Sequence, residues 1–146
     1  MRYRCEPTRG QRELAHIGSA PELIAVTQIP PDWTVPVLEF IDGDSYYDPT
    51  PERDSNLVAA LNSLHSLGIV HGDIRKNNVL VVPNSSRVVI VDFEFTGLHN
   101  VGRYPDCLNK DIRWPAGVRD GALLRIEHDN EFAMRMMEFH PMPLSS

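Results

Sequence analysis

The sequence predicts an α+β domain, and three observations support this. Two apolar, β-branched runs near the amino terminus are separated by a proline-rich turn, which is typical of paired strands. Leucines then recur at helical spacing, and a second pair of short β-branched runs follows across a polar turn. A chain of 146 residues is more readily one domain than two, and it buries roughly 68–70% of its unfolded surface.

The amino-terminal part of the chain predicts a short helix and two strands. Gly10–Ile17 has weak helical character and stops at Gly18. Leu23–Ile29 and Val35–Ile41 are the two apolar, β-branched runs. Because Pro30–Asp32 between them favours a turn, we expect the two strands to pair.

The middle of the chain predicts the clearest helix, from about Asp54 to Leu67. Its apolar positions follow i, i+4, i+7 spacing, and Gly68 provides a stop. The leucines at that spacing are Leu57, Leu61 and Leu64. One face of this helix should therefore be buried against neighbouring elements.

A hairpin and a second helix are predicted in the carboxy-terminal half. Val79–Val82 and Val88–Val91 are β-branched runs, and Pro83–Ser86 between them is a turn sequence. From Gly97 onward the pattern is irregular, until a helix is predicted at about Glu127–Glu138.

Composition argues against several classes of function. The net charge is -6 and no run of Lys or Arg occurs, which argues against a nucleic-acid partner. Cys5 and Cys107 are far apart, so neither a disulfide framework nor a zinc motif is indicated, and a reducing compartment is expected. No stretch approaches the roughly 20 apolar residues of a membrane span. We therefore expect a soluble cytoplasmic protein without a membrane partner.

Residue types suited to phosphoryl transfer lie around the hairpin. The polar loop His71–Asn78 (HGDIRKNN) precedes it, and Asp92 follows it. Phosphoryl transfer requires a carboxylate to orient the attacking hydroxyl and oxygen ligands to hold Mg²⁺ against the nucleotide phosphates. Asp73, Asn78 and Asp92 are of the required types.

These motifs resemble the protein-kinase-like superfamily in order, spacing and context. His71-Gly72-Asp73 stands where protein kinases have HRD, with Asn78 five residues after the aspartate. Asp92-Phe93-Glu94 stands where they have DFG. The HGD and DFE forms are closer to the aminoglycoside phosphotransferase and choline kinase branches, and to fungal kinase-like proteins, than to typical protein kinases.

The resemblance implies a role for each of these residues. Asp73 would be the catalytic carboxylate at the substrate hydroxyl, and Arg75 would lie near the transferred phosphate. Asn78 and Asp92 would bind Mg²⁺ and, through it, ATP. His71 would brace the loop without transferring a proton. The expected cofactors are thus ATP and Mg²⁺, and the expected partner is a protein or small-molecule phosphoacceptor.

The resemblance extends upstream to Val37–Gly43 (VLEFIDG), which is similar to the strand and hinge that hold an adenine ring. Backbone groups of Glu39, Phe40 and Ile41 would then bind the nucleotide. The same residues could instead form a plain buried strand. Glu13 either matches the helix glutamate that pairs with the family's phosphate-binding lysine or is an exposed helix carboxylate.

The implied fold is a partial protein-kinase-like domain over residues 1–140. Residues 1–42 would form the end of the small lobe, as a helix, two strands and the hinge. Residues 43–140 would form the first part of the helical large lobe with the catalytic-loop hairpin. Residues 141–146 are expected to be a disordered tail.

Parts of the family pattern are missing, which leaves three hypotheses open. No lysine occurs between Met1 and Asp73, and no glycine-rich loop precedes the hinge. The first hypothesis is a weakly active ATP-dependent phosphotransferase. The second is a catalytically impaired, pseudokinase-like binding module or gene fragment. The third is a metal-dependent hydrolase using Asp73 and Asp92.

Overall fold

Three helices and seven short strands make up residues 5–137, which are the residues described by the structure, a computed structural model. The predicted α+β class is confirmed. No helix within this range is both long and apolar enough to cross a membrane. The expected disordered tail at residues 141–146 lies outside the described residues.

The first helix and a β-hairpin form the amino-terminal part. Helix α1 spans Cys5–His16, strand β1 spans Leu23–Ile29 and strand β2 spans Trp33–Leu38. The two strands pair antiparallel, as predicted. Strand β2 begins two residues before the predicted Val35, and its last residue, Leu38, pairs with Leu23 at the start of β1. The chain beyond Leu38 leaves the ladder.

The β1–β2 hairpin is largely exposed to solvent on both faces. Trp33 is 71% exposed, and most other apolar side chains of the two strands are also exposed. A two-stranded ribbon has no core of its own, and apolar residues on it are buried only when another layer covers them. Within residues 5–137 no such layer covers this hairpin, so the core lies elsewhere.

Helix α2, Pro51–Ser66, is the centre of the core. Its predicted leucine face is confirmed, because all three leucines are fully buried. The helix begins three residues before the predicted Asp54, since the Thr50 side chain caps its first turn and Pro51 favours the first helical position. It ends just before Gly68, whose φ of +72° favours glycine.

A three-stranded antiparallel sheet carries the predicted hairpin. Strands β5, Val79–Val81, and β6, Val88–Ile90, pair with each other as expected. A short strand β3, Asp44–Ser45, adds to β5 on the other side. Val88 and Ile90 of β6 belong to the core around α2, and Val89 is also buried.

A second short pairing frames the polar loop. Strand β4, Ile69–Val70, pairs with β7, Gly97–Leu98, so the chain returns to the start of the loop after leaving the hairpin. The loop from His71 to Asn78 runs from β4 to β5 and ends in a 3₁₀ turn. Each end of the loop is therefore joined to a paired strand, β4 at its start and β5 at its end.

The last described helix, α3, spans Ile126–Met136, close to the predicted Glu127–Glu138. It packs against α2 and β4, and it buries Phe132, Ala133 and Met136. The segment between β7 and α3 is irregular, as expected, and a smaller apolar cluster holds it together. That cluster comprises Val70, Tyr104, Leu108 and Leu124.

Candidate active site

Asp129, in the first turn of α3, anchors the backbone of the polar loop. This carboxylate is fully buried and accepts the backbone N–H of His71 at 2.8 Å and that of Gly72 at 2.9 Å. The imidazole Nε2 of His65, on α2, also lies 2.8 Å from it. Bonds to a buried carboxylate are stronger than neutral ones, so Asp129 fixes the loop backbone to two helices.

Sequence reasoning missed this role of Asp129. The signal that could have revealed it is helical spacing, because Asp129 shares its face of α3 with Phe132, Ala133 and Met136, all buried. A carboxylate on an apolar face needs buried partners. The partners, however, lie almost sixty residues earlier in the chain.

His71 braces the loop through both ring nitrogens, in agreement with its expected role. Its Nδ1 accepts the backbone N–H of Asp73 at 3.1 Å, which leaves the proton on Nε2 to be donated to the carbonyl of Val91 at 3.0 Å. The ring also meets that of Phe93 edge-on, with centroids 5.0 Å apart. The histidine thus ties the start of the loop to the exit of the hairpin.

Backbone conformation and close packing both favour glycine between His71 and Asp73. Gly72 has φ of +90°, where a side chain is strained. A Cβ at this position would lie 3.1 Å from Leu124 Cδ2 and 3.2 Å from Phe95 Cβ. An arginine at this position would be strained by the positive φ and would press on Leu124 and Phe95, so the local structure favours glycine.

Asp73 and Arg75 form a two-point ion pair. Arg75 Nε lies 2.5 Å from one carboxylate oxygen, and its terminal nitrogen lies 3.1 Å from the other. Asp73 is only 5% exposed. The hydrogen bond to Asp73 raises the pKa of Arg75, and the charge of Asp92 raises it further. The guanidinium is therefore within electrostatic reach of both carboxylates.

Asn78 joins the same cluster. Its amide nitrogen donates to the Asp73 carboxylate at 3.0 Å and to the Asp73 carbonyl at 2.9 Å. The backbone carbonyl of Asn78 accepts the N–H of Val91 at 2.9 Å, which brings Asp92 close to Asn78. Asp92 is exposed, with φ of +60°, a conformation that aspartate tolerates. The structure thus brings Asp73, Arg75, Asn78 and Asp92 into one neighbourhood.

The oxygen donors of this neighbourhood suit Mg²⁺. With its amide nitrogen turned to Asp73, Asn78 keeps Oδ1 free of partners among residues 5–137, and the Asp92 carboxylate is open to solvent. Mg²⁺ prefers such oxygen ligands and commonly retains several waters. Within the described range, no three His, Cys, Asp or Glu side chains form a metal cluster.

The hinge-like segment is exposed, so the alternative that it forms a buried strand is wrong. Phe40 is 87% exposed, and the segment from Glu39 onward lies outside any strand until β3. The N–H of Glu39 is already used, since it donates to the carbonyl of Glu22 at 2.8 Å. The backbone groups of Phe40 and Ile41 have no hydrogen-bond partner within residues 5–137. Glu13 is exposed on α1.

Comparison with known proteins supports the fold. The structure is similar to that of the Cydia pomonella granulovirus kinase PK-1, with a TM-score of 0.55 and 18% sequence identity. The match covers 64% of this chain and 38% of the viral kinase, so it spans well under half of that protein. No family model and no curated protein sequence matches. By its structure, this chain has a kinase-like fold.

Proposed function

We propose that this chain is a kinase-like phosphotransferase that uses Mg·ATP and transfers the γ-phosphate to a hydroxyl group of a protein or small molecule. One observation carries the proposal. Asp73 and Asn78 lie on a loop that His71 and Asp129 anchor by hydrogen bonds, and the bond from Val91 N–H to the Asn78 backbone carbonyl brings Asp92 beside them. Phosphoryl transfer depends mainly on positioning and on charge stabilisation, and a braced cluster of this kind supplies both.

Each residue of the cluster has a defined task in this proposal. Asp73 accepts the hydroxyl proton as the nucleophile attacks. Asn78 Oδ1 and the Asp92 carboxylate hold Mg²⁺, which neutralises charge on the nucleotide phosphates. Arg75 holds the Asp73 carboxylate in one orientation and places a positive charge beside the transferred group. Its two-point pairing limits the rotation of Asp73.

The adenine ring is assigned to the exposed connection after β2. The N–H of Glu39 is engaged by Glu22, so the backbone groups of Phe40 and Ile41 are the ones left to bind a base. Phe40 is exposed and Ile41 is partly exposed, and a base can approach their backbone groups without displacing a protein partner.

A second candidate function is a nucleotide-binding module with little turnover. The observation that favours it is the ion pair itself, because Arg75 occupies both oxygens of Asp73. A carboxylate with both oxygens occupied can accept a hydroxyl proton only when one of these bonds opens. Binding of Mg·ATP at Asn78 and Asp92 does not require that pair to open.

Release of ADP from Mg·ATP distinguishes the two candidates. We expect slow turnover by the wild type and a loss of about 100-fold or more in Asp73→Asn, since a general base contributes roughly 10²–10⁴-fold. Glu94→Gln is the matched control, because Glu94 is exposed and its side chain has no partner within residues 5–137. Turnover of Asp73→Asn equal to that of the wild type would overturn the assigned base. Nucleotide binding without turnover would favour the binding module.

A further inference from the structure

A polar cavity of about 550 Å³ lies beside the first turn of α3. Its wall is formed by the irregular segment before the helix, and it includes none of Asp73, Asn78 and Asp92. Nothing in the phosphotransfer proposal uses it. The residues that give the cavity its character are Arg103, Arg119, Arg125 and His128.

More basic than acidic residues line the cavity, although the net charge of the whole chain is -6. Arg103 donates to the carbonyl of Gly121 at 2.9 Å, which fixes it along the wall. Arg119 and Arg125 form no ion pair with any residue between 5 and 137. Arg103, Arg119 and Arg125 are exposed, and like charges along one cavity wall favour the binding of an anion.

Several carboxylates lie near the cavity, but only one belongs to the residues that line it. Asp120 is the acidic residue on its wall, and one of its oxygens accepts the backbone N–H of Leu108 at 2.9 Å. Asp106 approaches the wall at Gly121. No ion pair joins either carboxylate to an arginine of the cavity within the described residues. Glu131 of α3 also reaches the wall, where it accepts the backbone N–H of Ala116 at 3.1 Å, and it pairs with Arg135, which does not line the cavity. Among the residues that line the cavity, three are arginines and one is acidic.

His128 provides a buried donor at the inner end of the cavity. It is only 5% exposed, and its Nδ1 lies 3.1 Å from the hydroxyl of Tyr104. With that hydroxyl donating to Nδ1, Nε2 carries the imidazole proton. Nε2 faces the cavity across Gly117, where a Cβ would stand 3.9 Å away, and no residue within 5–137 accepts its proton. Because this nitrogen has no protein partner within that range and is not fully buried, a ligand or water in the cavity can accept its proton.

Arg125 is also unexplained by the stability of α3. It occupies the N-cap position and makes no capping hydrogen bond there. Ser, Thr, Asp and Asn are preferred at this position, and a cation at the amino end of a helix is unfavourable. Helix capping therefore gives no reason for an arginine at this position.

We propose that this cavity binds a phosphate monoester or inorganic phosphate, held by Arg119 and Arg125 with His128 Nε2–H as the inner donor. Arginine binds phosphate through paired N–H groups, and a tetrahedral dianion accepts from several donors at once. Two sources share this chemistry, namely the free ion and a phosphorylated side chain of a partner. The site does not depend on ATP turnover.

Calorimetric titration tests the proposal. The probes are inorganic phosphate and a short peptide containing one phosphoserine, with the unphosphorylated peptide as reference. EDTA excludes metal-mediated phosphate binding near Asp92. Constant ionic strength keeps the screening of protein charges the same in every titration. We expect saturable binding by the wild type and a loss of at least about tenfold in the double variant Arg119→Gln/Arg125→Gln.

The matched control is Arg9→Gln/Arg12→Gln, which removes the same charge from exposed positions on α1. Its affinity should stay within about twofold of the wild type, and both double variants should fold, because all four arginines are exposed. Tighter binding of the phosphopeptide than of the ion identifies a phosphorylated partner, and equal binding identifies the free ion. The proposal fails if neither probe saturates, or if the cavity variant binds as tightly as the control.

Discussion

The carboxylate of Asp129 accepts the backbone N–H of Gly72 at 2.9 Å, although 57 residues separate the two in sequence. Gly72 immediately precedes the candidate catalytic carboxylate. The position of Asp73 is therefore set by a buried charge on the last described helix. This links the stability of the fold directly to the geometry of the site.

Replacing Asp129 by Asn tests this anchor. The variant keeps the shape of the side chain but turns an NH₂ group towards backbone N–H donors, so one loop hydrogen bond is lost and the other weakened. We expect the free energy of unfolding to fall by about 2–4 kcal/mol in urea denaturation. Asp111→Asn, at an exposed position, should leave it nearly unchanged. Equal stability of the two variants would refute the anchoring role.

Replacing Gly72 by Ala tests the fit of the loop. The new Cβ would meet Leu124 and Phe95 at 3.1–3.2 Å in addition to the strain of a positive φ. We expect a loss of roughly 2–3 kcal/mol in the free energy of unfolding, from strain and overpacking together. Gly18→Ala is the control, because Gly18 has φ of +79° but nothing within 4 Å. If both variants lose the same amount, close packing is not the reason for glycine at position 72.

Acidification should destabilise the fold through His128. Burial lowers the pKa of His128 below its ordinary value of 6.5, with Arg125 contributing and Asp129, Glu127 and Glu131 opposing. Because the unfolded chain then binds this proton more readily than the folded chain, stability is full above pH 6.5 and is lost as the pH falls below it. The stability advantage of the wild type over His128→Gln should thus shrink between pH 7.5 and pH 5, measured without phosphate buffer. An advantage that grows on acidification would contradict the direction of the shift.

Local patterns predicted most of the fold. The spacing of Leu57, Leu61 and Leu64 identified the central helix, and β-branched runs around turn sequences identified both hairpins. These features are encoded within about 15 consecutive residues, where a single periodicity decides the structure. The motif residues lie near one another, because the loop and the hairpin that carry them are adjacent in the chain, and their catalytic and metal-binding roles stay predictions.

Long-range relationships were not predictable in the same way. The anchoring by Asp129 and the cavity around Arg119 and Arg125 depend on how distant segments pack, and no local spacing encodes that. The exposure of Phe40 was likewise left open, because an apolar run has the same pattern whether or not another layer covers it. Tertiary packing therefore decided each of these features.

The most direct test of the proposed function is thermal stabilisation by Mg·ATP. We predict that Mg·ATP raises the melting temperature of the wild type and that ATP in EDTA raises it less. The magnesium-dependent part of this rise should be lost in Asp92→Asn and retained in Glu94→Gln. A ligand that binds only the folded state contributes about 2.7 kcal/mol at 100 times its Kd, which corresponds to a shift of roughly 9 °C for a domain of this size. No stabilisation of the folded wild type by Mg·ATP, or an equal shift in Asp92→Asn, would contradict the assignment of the nucleotide site.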